Sequence, residues 1–210
     1  MKAELATGLS QLDLTLSQLQ QAQLLDYLAL LQKWNKVYNL TAIRDPAEML
    51  THHLLDSLAV VNPLMRQLKD KPSSLVLDVG AGAGLPGVVI AICCPEIVVT
   101  CVDAVGKKVA FIHQVALSSG LKNLTAKHAR VETLTDKYDL ITSRAFATLI
   151  DFVACTKQAL AEQGVWMAMK SKSAQAEIVD LSPSIAVFHV EPLAVPQLNE
   201  ERNLVWMRLH

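Results

Sequence analysis

Apolar residues in the first third of the chain recur three and four positions apart, the spacing of one face of an α-helix. Leu24, Leu25, Leu28 and Leu31, followed by Trp34 or Asn35, make one such face. Arg44-Asp45-Pro46 predicts the start of another helix, with Asp45 as N-cap and Pro46 at the first helical position. Its apolar positions, Met49, Leu50, Leu54, Leu55, Leu58 and Val61, run up to Asn62-Pro63, which predicts its stop. The polar stretch Lys69-Asp70-Lys71-Pro72-Ser73-Ser74 then marks a change of pattern. Residues 1–70 read as a helical N-terminal extension and residues 71–210 as a second, compact α/β unit.

Beyond the polar stretch, short apolar runs alternate with helical patterns. The predicted strands are Leu75–Val79, Val98–Val102, Leu124–Lys127, Leu140–Thr142, Val165–Met169, Ile185–Val190 and Leu204–Arg208. Between them lie predicted helices at Val88–Cys93, Lys107–Ser119, Leu149–Ala161 and Ser173–Leu181. Alternation of this kind predicts an α/β fold with a seven-stranded, mainly parallel sheet covered by helices on both faces. Pro192 and Pro196 occupy the last connection, which suits an antiparallel hairpin at the sheet edge. The most apolar stretch, Leu85 to Val102, is interrupted by Pro86, Pro95 and Glu96. A membrane helix needs about 20 unbroken apolar residues, so a short buried helix and a buried strand are expected instead.

Composition narrows the function classes only a little. The 210 residues are 51% hydrophobic and 19% charged, an ordinary balance for a folded chain. A formal charge of -1 excludes a globally basic nucleic-acid binder but not a local basic patch. Cys93, Cys94, Cys101 and Cys155 form no Cys-x-x-Cys pair, so reduced thiols are expected and a zinc site is not. His53 and Asp56, three apart, are a weak nucleus for a metal site, and a packed histidine is the better expectation. No basic region leads into an apolar run at the N-terminus, as a secretory leader would require. The expectation is a cytoplasmic, monomeric chain without a membrane or metal partner.

Chemistry concentrates in Val76-Leu77-Asp78-Val79-Gly80-Ala81-Gly82-Ala83-Gly84-Leu85-Pro86-Gly87. A buried strand enters a glycine turn and leaves as a helix, and ligands of parallel α/β sheets bind at such strand ends. Gly82, Gly84 and Gly87 match the dinucleotide fingerprint, with Asp103 near the spacing of its ribose acid. Asp78, two residues before Gly80, instead looks like the opening of the first motif of Rossmann-like methyltransferases. A carboxylate there suits the cationic amino-acid end of S-adenosylmethionine, directly or through water, and would sit poorly beside pyrophosphate. Asp103 can accept ribose hydroxyls with either ligand, so it does not discriminate.

The wider sequence is more specific. Trp34-Asn35-Lys36-Val37-Tyr38-Asn39-Leu40-Thr41, Arg44-Asp45-Pro46 and His53-Leu54-Leu55-Asp56-Ser57 resemble the glucose-inhibited division protein B family. Gly84-Leu85-Pro86-Gly87, Arg130-Val131-Glu132 and Ser143-Arg144-Ala145-Phe146 extend the resemblance to nearly the whole chain. It implies a Rossmann-like methyltransferase that uses S-adenosylmethionine to methylate guanine N7 in 16S RNA of the small ribosomal subunit. It also implies cofactor contacts at Gly80, Leu85, Val131, Glu132 and Arg144, joining Asp78, Gly82 and Asp103. Arg144 could equally meet the RNA backbone, and Phe146 could stack on a base or pack in the core. Arg130, Lys170 and Arg202, with Lys107, Lys108 and Lys172, are the expected phosphate-facing patch, and Asn35 and Asn39 a possible RNA-facing surface. No catalytic dyad is visible, and attack by guanine N7 needs no general base.

Overall fold

A computed structural model describes residues 1–71, 73–171 and 174–210. The expected strand-helix alternation is present as one seven-stranded sheet in the order β3-β2-β1-β4-β5-β7-β6. Its strands are β1 (Leu75–Val79), β2 (Val98–Asp103), β3 (Leu124–His128), β4 (Tyr138–Arg144), β5 (Leu160–Lys170), β6 (Ile185–Leu193) and β7 (Arg202–Leu209). β1 to β5 are parallel. β7 runs antiparallel between β5 and β6, so the last two strands form the edge hairpin that the prolines predict. Because β1 lies between β2 and β4, the strand order reverses there, and the carboxyl ends of β1 and β4 flank a crevice.

The N-terminal helices are α1 (Lys2–Gln11), α2 (Gln18–Tyr38), α3 (Pro46–Met49), α4 (Asp56–Leu58) and α5 (Val61–Gln67). Ser17 and Gln20 close a reciprocal capping box on α2, and Leu24, Tyr27, Leu28, Leu31 and Asn35 form its buried face. Asp45 caps α3 through the amides of Ala47 and Glu48, with Pro46 in the first turn as the sequence predicts. A π-helical turn, Leu50–Leu55, then joins α3 to α4. Every residue from His53 to Leu58 is buried, so this stretch runs through the interior and does not lie on the surface. The predicted stop at Asn62-Pro63 is corrected: the helix breaks at Ala59 and Val60, and Pro63 lies in the first turn of α5. Proline costs nothing there, because amides of a first turn have no carbonyl partner within the helix.

α6 (Gly87–Cys93) and α7 (Gly106–Ser118) cover one face of the sheet; α8 (Leu149–Thr156) and α9 (Ala174–Val179) cover the other. The helix predicted over Leu149–Ala161 is shorter than expected. It ends at Thr156 and passes through a single 3-10 turn into β5 at Leu160. The predicted start of α9 at Ser173 lies outside the described residues, as do Pro72 and Lys172.

One continuous apolar cluster runs from Leu5 through α2, α6 and α7 to Trp206. The N-terminal helices are therefore packed into the main core. Tyr27 and Trp34 of α2 meet Phe111 of α7, the second edge-on with centroids 5.5 Å apart. Among the described residues no helix is long and apolar enough to cross a membrane, and no three His, Cys, Asp or Glu residues gather as a metal site. All four cysteines are free thiols, and burial raises the pKa of each.

Candidate functional site

The glycine turn is built by backbone conformations that L side chains avoid: Gly80, Gly82 and Gly84 have φ of 63°, 59° and 86°. The three serve different ends. A Cβ on Gly84 would strike Val88 at 2.4 Å, and one on Gly80 would strike the ring of Phe146 at 2.2 Å. At Gly82 the nearest atom, the Gly80 carbonyl oxygen, would be 3.9 Å away. Packing explains the first two glycines. At Gly82 the left-handed backbone alone calls for glycine, and the space a side chain would take is left open.

Two aspartates hold this turn from below. Asp103, at the end of β2, accepts the Gly82 amide at 2.9 Å and the Val105 amide at 2.8 Å, with Lys108 Nζ 3.7 Å away. Asp78 is wholly buried, and its Oδ2 accepts the Gly87 amide at 2.8 Å, tying α6 to β1. Its Oδ1 has no hydrogen-bond partner among the described residues. Burial pushes the Asp78 carboxyl up to about 7, against the Gly87 amide and Arg144, which pull it down.

That shift has a measurable consequence. Between its ordinary 3.8 and about 7, Asp78 holds more proton in the folded chain than in the unfolded one. Its stabilising contribution is therefore full at low pH and is lost as pH rises through about 7. Asp78→Asn stays neutral throughout. The stability of the parent chain relative to this variant is expected to fall as pH climbs across that window, read by urea unfolding at each pH.

Two neighbouring cavities open at the strand ends. The smaller, about 230 Å³, is lined by Val79, Gly80, Val102, Arg130, Val131, Glu132 and Phe146 among others. The larger, about 580 Å³, is lined by Ile43, His53, Asp56, Leu85, Arg144, Met169, Lys170, Glu177, Glu200 and Arg202 among others. The segment Arg144-Ala145-Phe146 divides them: Arg144 and Ala145 face the larger and Phe146 the smaller. Ala145 has a φ of 51°, and Phe146 lies across Gly80, 40% exposed and edge-on to Phe152. Phe146 is thus not a core residue.

The site residues expected from sequence are brought together, with several in other roles than expected. Lys170 is corrected: its ammonium donates to the Ala147 carbonyl and to both oxygens of Glu177, so its three hydrogens have acceptors inside the protein. It ties β5 to α9 and to the loop after β4, and is not a free phosphate ligand. Arg144 donates to the His52 carbonyl and to Asp56, both at 2.8 Å. Arg202 donates to Asp56 at 3.1 Å and pairs with Glu200 at 2.8 Å. Arg130 is exposed at the rim, 3.4 Å from Glu132, and Lys107 is also exposed. Asn35 is corrected too: it is buried, and clasps the turn at Thr41 and Ile43 rather than facing outward. His53 packs as expected, its Nε2 2.8 Å from Thr41 Oγ1, with burial and then Arg144 pushing its pKa down to about 4.

Sequence reasoning missed Glu177, and it weighed Asp56 only as half of a weak metal nucleus, not as a partner of the arginines. For Asp56 a signal existed: it shares a predicted helix with Leu54, Leu55 and Leu58, and a carboxylate buried beside them has to be paired. For Glu177 the sequence carries none.

Comparison with known proteins agrees with this architecture. A family profile described as rRNA small subunit methyltransferase G matches residues 20–205. The chain is 59% identical to the ribosomal RNA small subunit methyltransferase G of Polaromonas sp. over 98% of its own length and 92% of the relative's. With the Acidovorax sp. protein of the same name it shares 58% identity over 97% of the chain and 93% of the relative. Among solved structures, TrmN from Thermus thermophilus superposes with a TM-score of 0.59 at 18% identity, over 72% of this chain and 48% of that one. The ribosomal protein L11 methylase from Lactobacillus delbrueckii subsp. bulgaricus gives 0.55 at 17% identity, over 74% and 77%. At these identities the superpositions speak for the Rossmann-like methyltransferase fold alone.

Proposed function

Because the chain belongs to the rRNA small subunit methyltransferase G family, we propose that it moves a methyl group from S-adenosylmethionine to N7 of a guanine in 16S RNA, where its two cavities meet. The observation that carries this reading is the open cradle at Gly82, set at the reversal of strand order with Asp103 beneath it. Gly80, Val131 and Glu132 would hold the adenosine end in the smaller cavity, with Asp103 taking the ribose through lone pairs its two amide bonds leave free. The orphaned Oδ1 of Asp78 fits a ligand with a cationic amino-acid end, directly or through water. Leu85 and Arg144 would flank that end from the larger cavity. When bound, the cofactor supplies a methyl group activated on a sulfonium.

The larger cavity would receive the base. Ile43, Leu85 and Met169 give it apolar surface, while Arg144 and Arg202 put cationic donors on its wall. Such donors suit the O6 acceptor of guanine and oppose the amino group that adenine carries at that position. Guanine N7 has a lone pair and no proton, so no side chain has to remove one. The chain's contribution is orientation, which supplies up to about 7–11 kcal/mol in favourable systems. A reaction on ribosomal RNA also accords with a cytoplasmic location and with the assembling small subunit as substrate.

A thermal shift assay tests the cofactor: stabilisation by S-adenosylmethionine and none by NAD is expected. Stabilisation by NAD alone would favour the dinucleotide reading. RNA affinity is expected to fall with salt by about 0.9 logarithmic units per neutralised duplex phosphate, or about 0.7 on single strands. Filter binding across a salt series measures the slope; a flat response would remove Arg130 and Lys107 as a phosphate-binding rim.

A further inference from the structure

We propose that Asp56 is a positioning residue for methyl transfer, holding Arg144 and Arg202 on the wall of the larger cavity with one buried carboxylate. This inference rests on the reading of that cavity as the guanine subsite beside the cofactor. Asp56 is 2% exposed, and its two oxygens are divided: Oδ2 takes Arg144 at 2.8 Å and Oδ1 takes Arg202 at 3.1 Å. Arg144 ends β4 and Arg202 begins β7, on either side of β5. Two strand spacings, about 10 Å, separate them across the sheet. One carboxylate inserted from α4 bridges that gap.

The bridge has consequences for both ligands. Without Asp56 the two guanidinium groups would lose their shared counter-charge and repel one another, and long arginine side chains would sample other rotamers. Arg144 has only Nη1 engaged among the described residues, by Asp56 and by the His52 carbonyl, which leaves Nε and Nη2 for a ligand. Arg202 is committed further, to Asp56, Glu200 and the Glu201 carbonyl, so its direction is set by these neighbours. The N-terminal helices thereby take part in the site without touching the reacting atoms: α4 delivers the carboxylate, and the π-helical turn before it delivers the His52 carbonyl.

The test uses the full chain, its substrate RNA from cells lacking the modification, and calorimetry with S-adenosylmethionine. Asp56→Asn is expected to raise both the cofactor Kd and the RNA KM about tenfold, whereas Arg202→Gln raises the RNA KM alone by about that factor. In the double variant the RNA KM is expected to match that of Asp56→Asn, because losing the carboxylate already releases Arg202 as well as Arg144. Losses that multiply to about a hundredfold would overturn the proposal. So would a folded Asp56→Asn with parental Kd and KM. Should Asp56→Asn fail to fold, Arg202→Lys decides, since it keeps the charge but cannot reproduce the Nε bond. The RNA KM is then expected to rise about tenfold with cofactor Kd within about twofold, and an unchanged KM refutes the role. A parental chain that transfers no methyl group to RNA would instead refute the proposed function.

Discussion

Gly82→Leu is expected to weaken S-adenosylmethionine binding at least about a hundredfold and to abolish methyl transfer while the chain remains folded. The expectation follows from what surrounds this residue. Among the described residues, leaving aside its two chain neighbours, no atom lies closer than 3.9 Å to the position a Cβ would take, so the added Cβ itself meets no clash in the free chain. It would instead fill the open space beside the turn, where the proposed cofactor would lie. The cost to the fold is the left-handed backbone, φ 59°, at about 1–2 kcal/mol. For a chain of this length that lowers Tm by about 2–8 °C. Calorimetry and a thermal melt on one sample separate the two effects. A leucine variant that binds the cofactor normally would show that the cradle is not where it lies.

Gly87→Val is expected to do the reverse, taking away stability first. Gly87 has an ordinary φ, yet a Cβ would come within 2.5 Å of Cys101 Sγ and 2.8 Å of Asp78 Oδ2. Cys101 and Asp78 are fully buried and stand side by side in register on β2 and β1, so neither can retreat. α6 would have to lift off the sheet and give up the Gly87 amide bond to Asp78. Overpacking costs about 1–3 kcal/mol and leaving the buried Asp78 oxygen without its amide about 1–3 kcal/mol. Together these are a large part of the roughly 5–15 kcal/mol that holds a domain together. Urea unfolding is expected to show a midpoint lowered accordingly, with a Tm drop of about 4–24 °C. An unchanged midpoint would mean that Gly87 is not a packing residue. The glycine run is thus a composite on this account, with Gly84 and Gly87 packed against the fold and Gly82 left open for the proposed cofactor.

Much of this was legible in the sequence, for physical reasons. Strands buried on both faces are continuous apolar runs, which is why Leu75–Val79 has the predicted ends. The cap at Asp45 was legible because a carboxylate before a proline has few other uses. Helix ends were less legible. α8 ends at Thr156, whose hydroxyl bonds the Phe152 carbonyl and receives the Trp166 indole, and the second contact exists only once β5 is in place. Charge pairing was the least legible. Arg144 and Arg202 stand 88 and 146 residues from Asp56, and only the closed fold shows that one carboxylate serves both. The same holds for Lys170, which reads as an exposed phosphate ligand until Glu177 and the Ala147 carbonyl are seen around it. A motif gives residue types at a spacing; whether a cation is spent inside the protein is settled by tertiary packing.

The most direct measurement supplies undermethylated small-subunit RNA with methyl-labelled S-adenosylmethionine, then cleaves the product chemically at N7-methylguanine. Label entering the RNA together with a single new cleavage at one guanine is the predicted result, and Gly82→Leu should give neither. Label appearing on another atom or base, or no transfer from a chain that binds the cofactor, would contradict the assignment of the larger cavity to guanine N7.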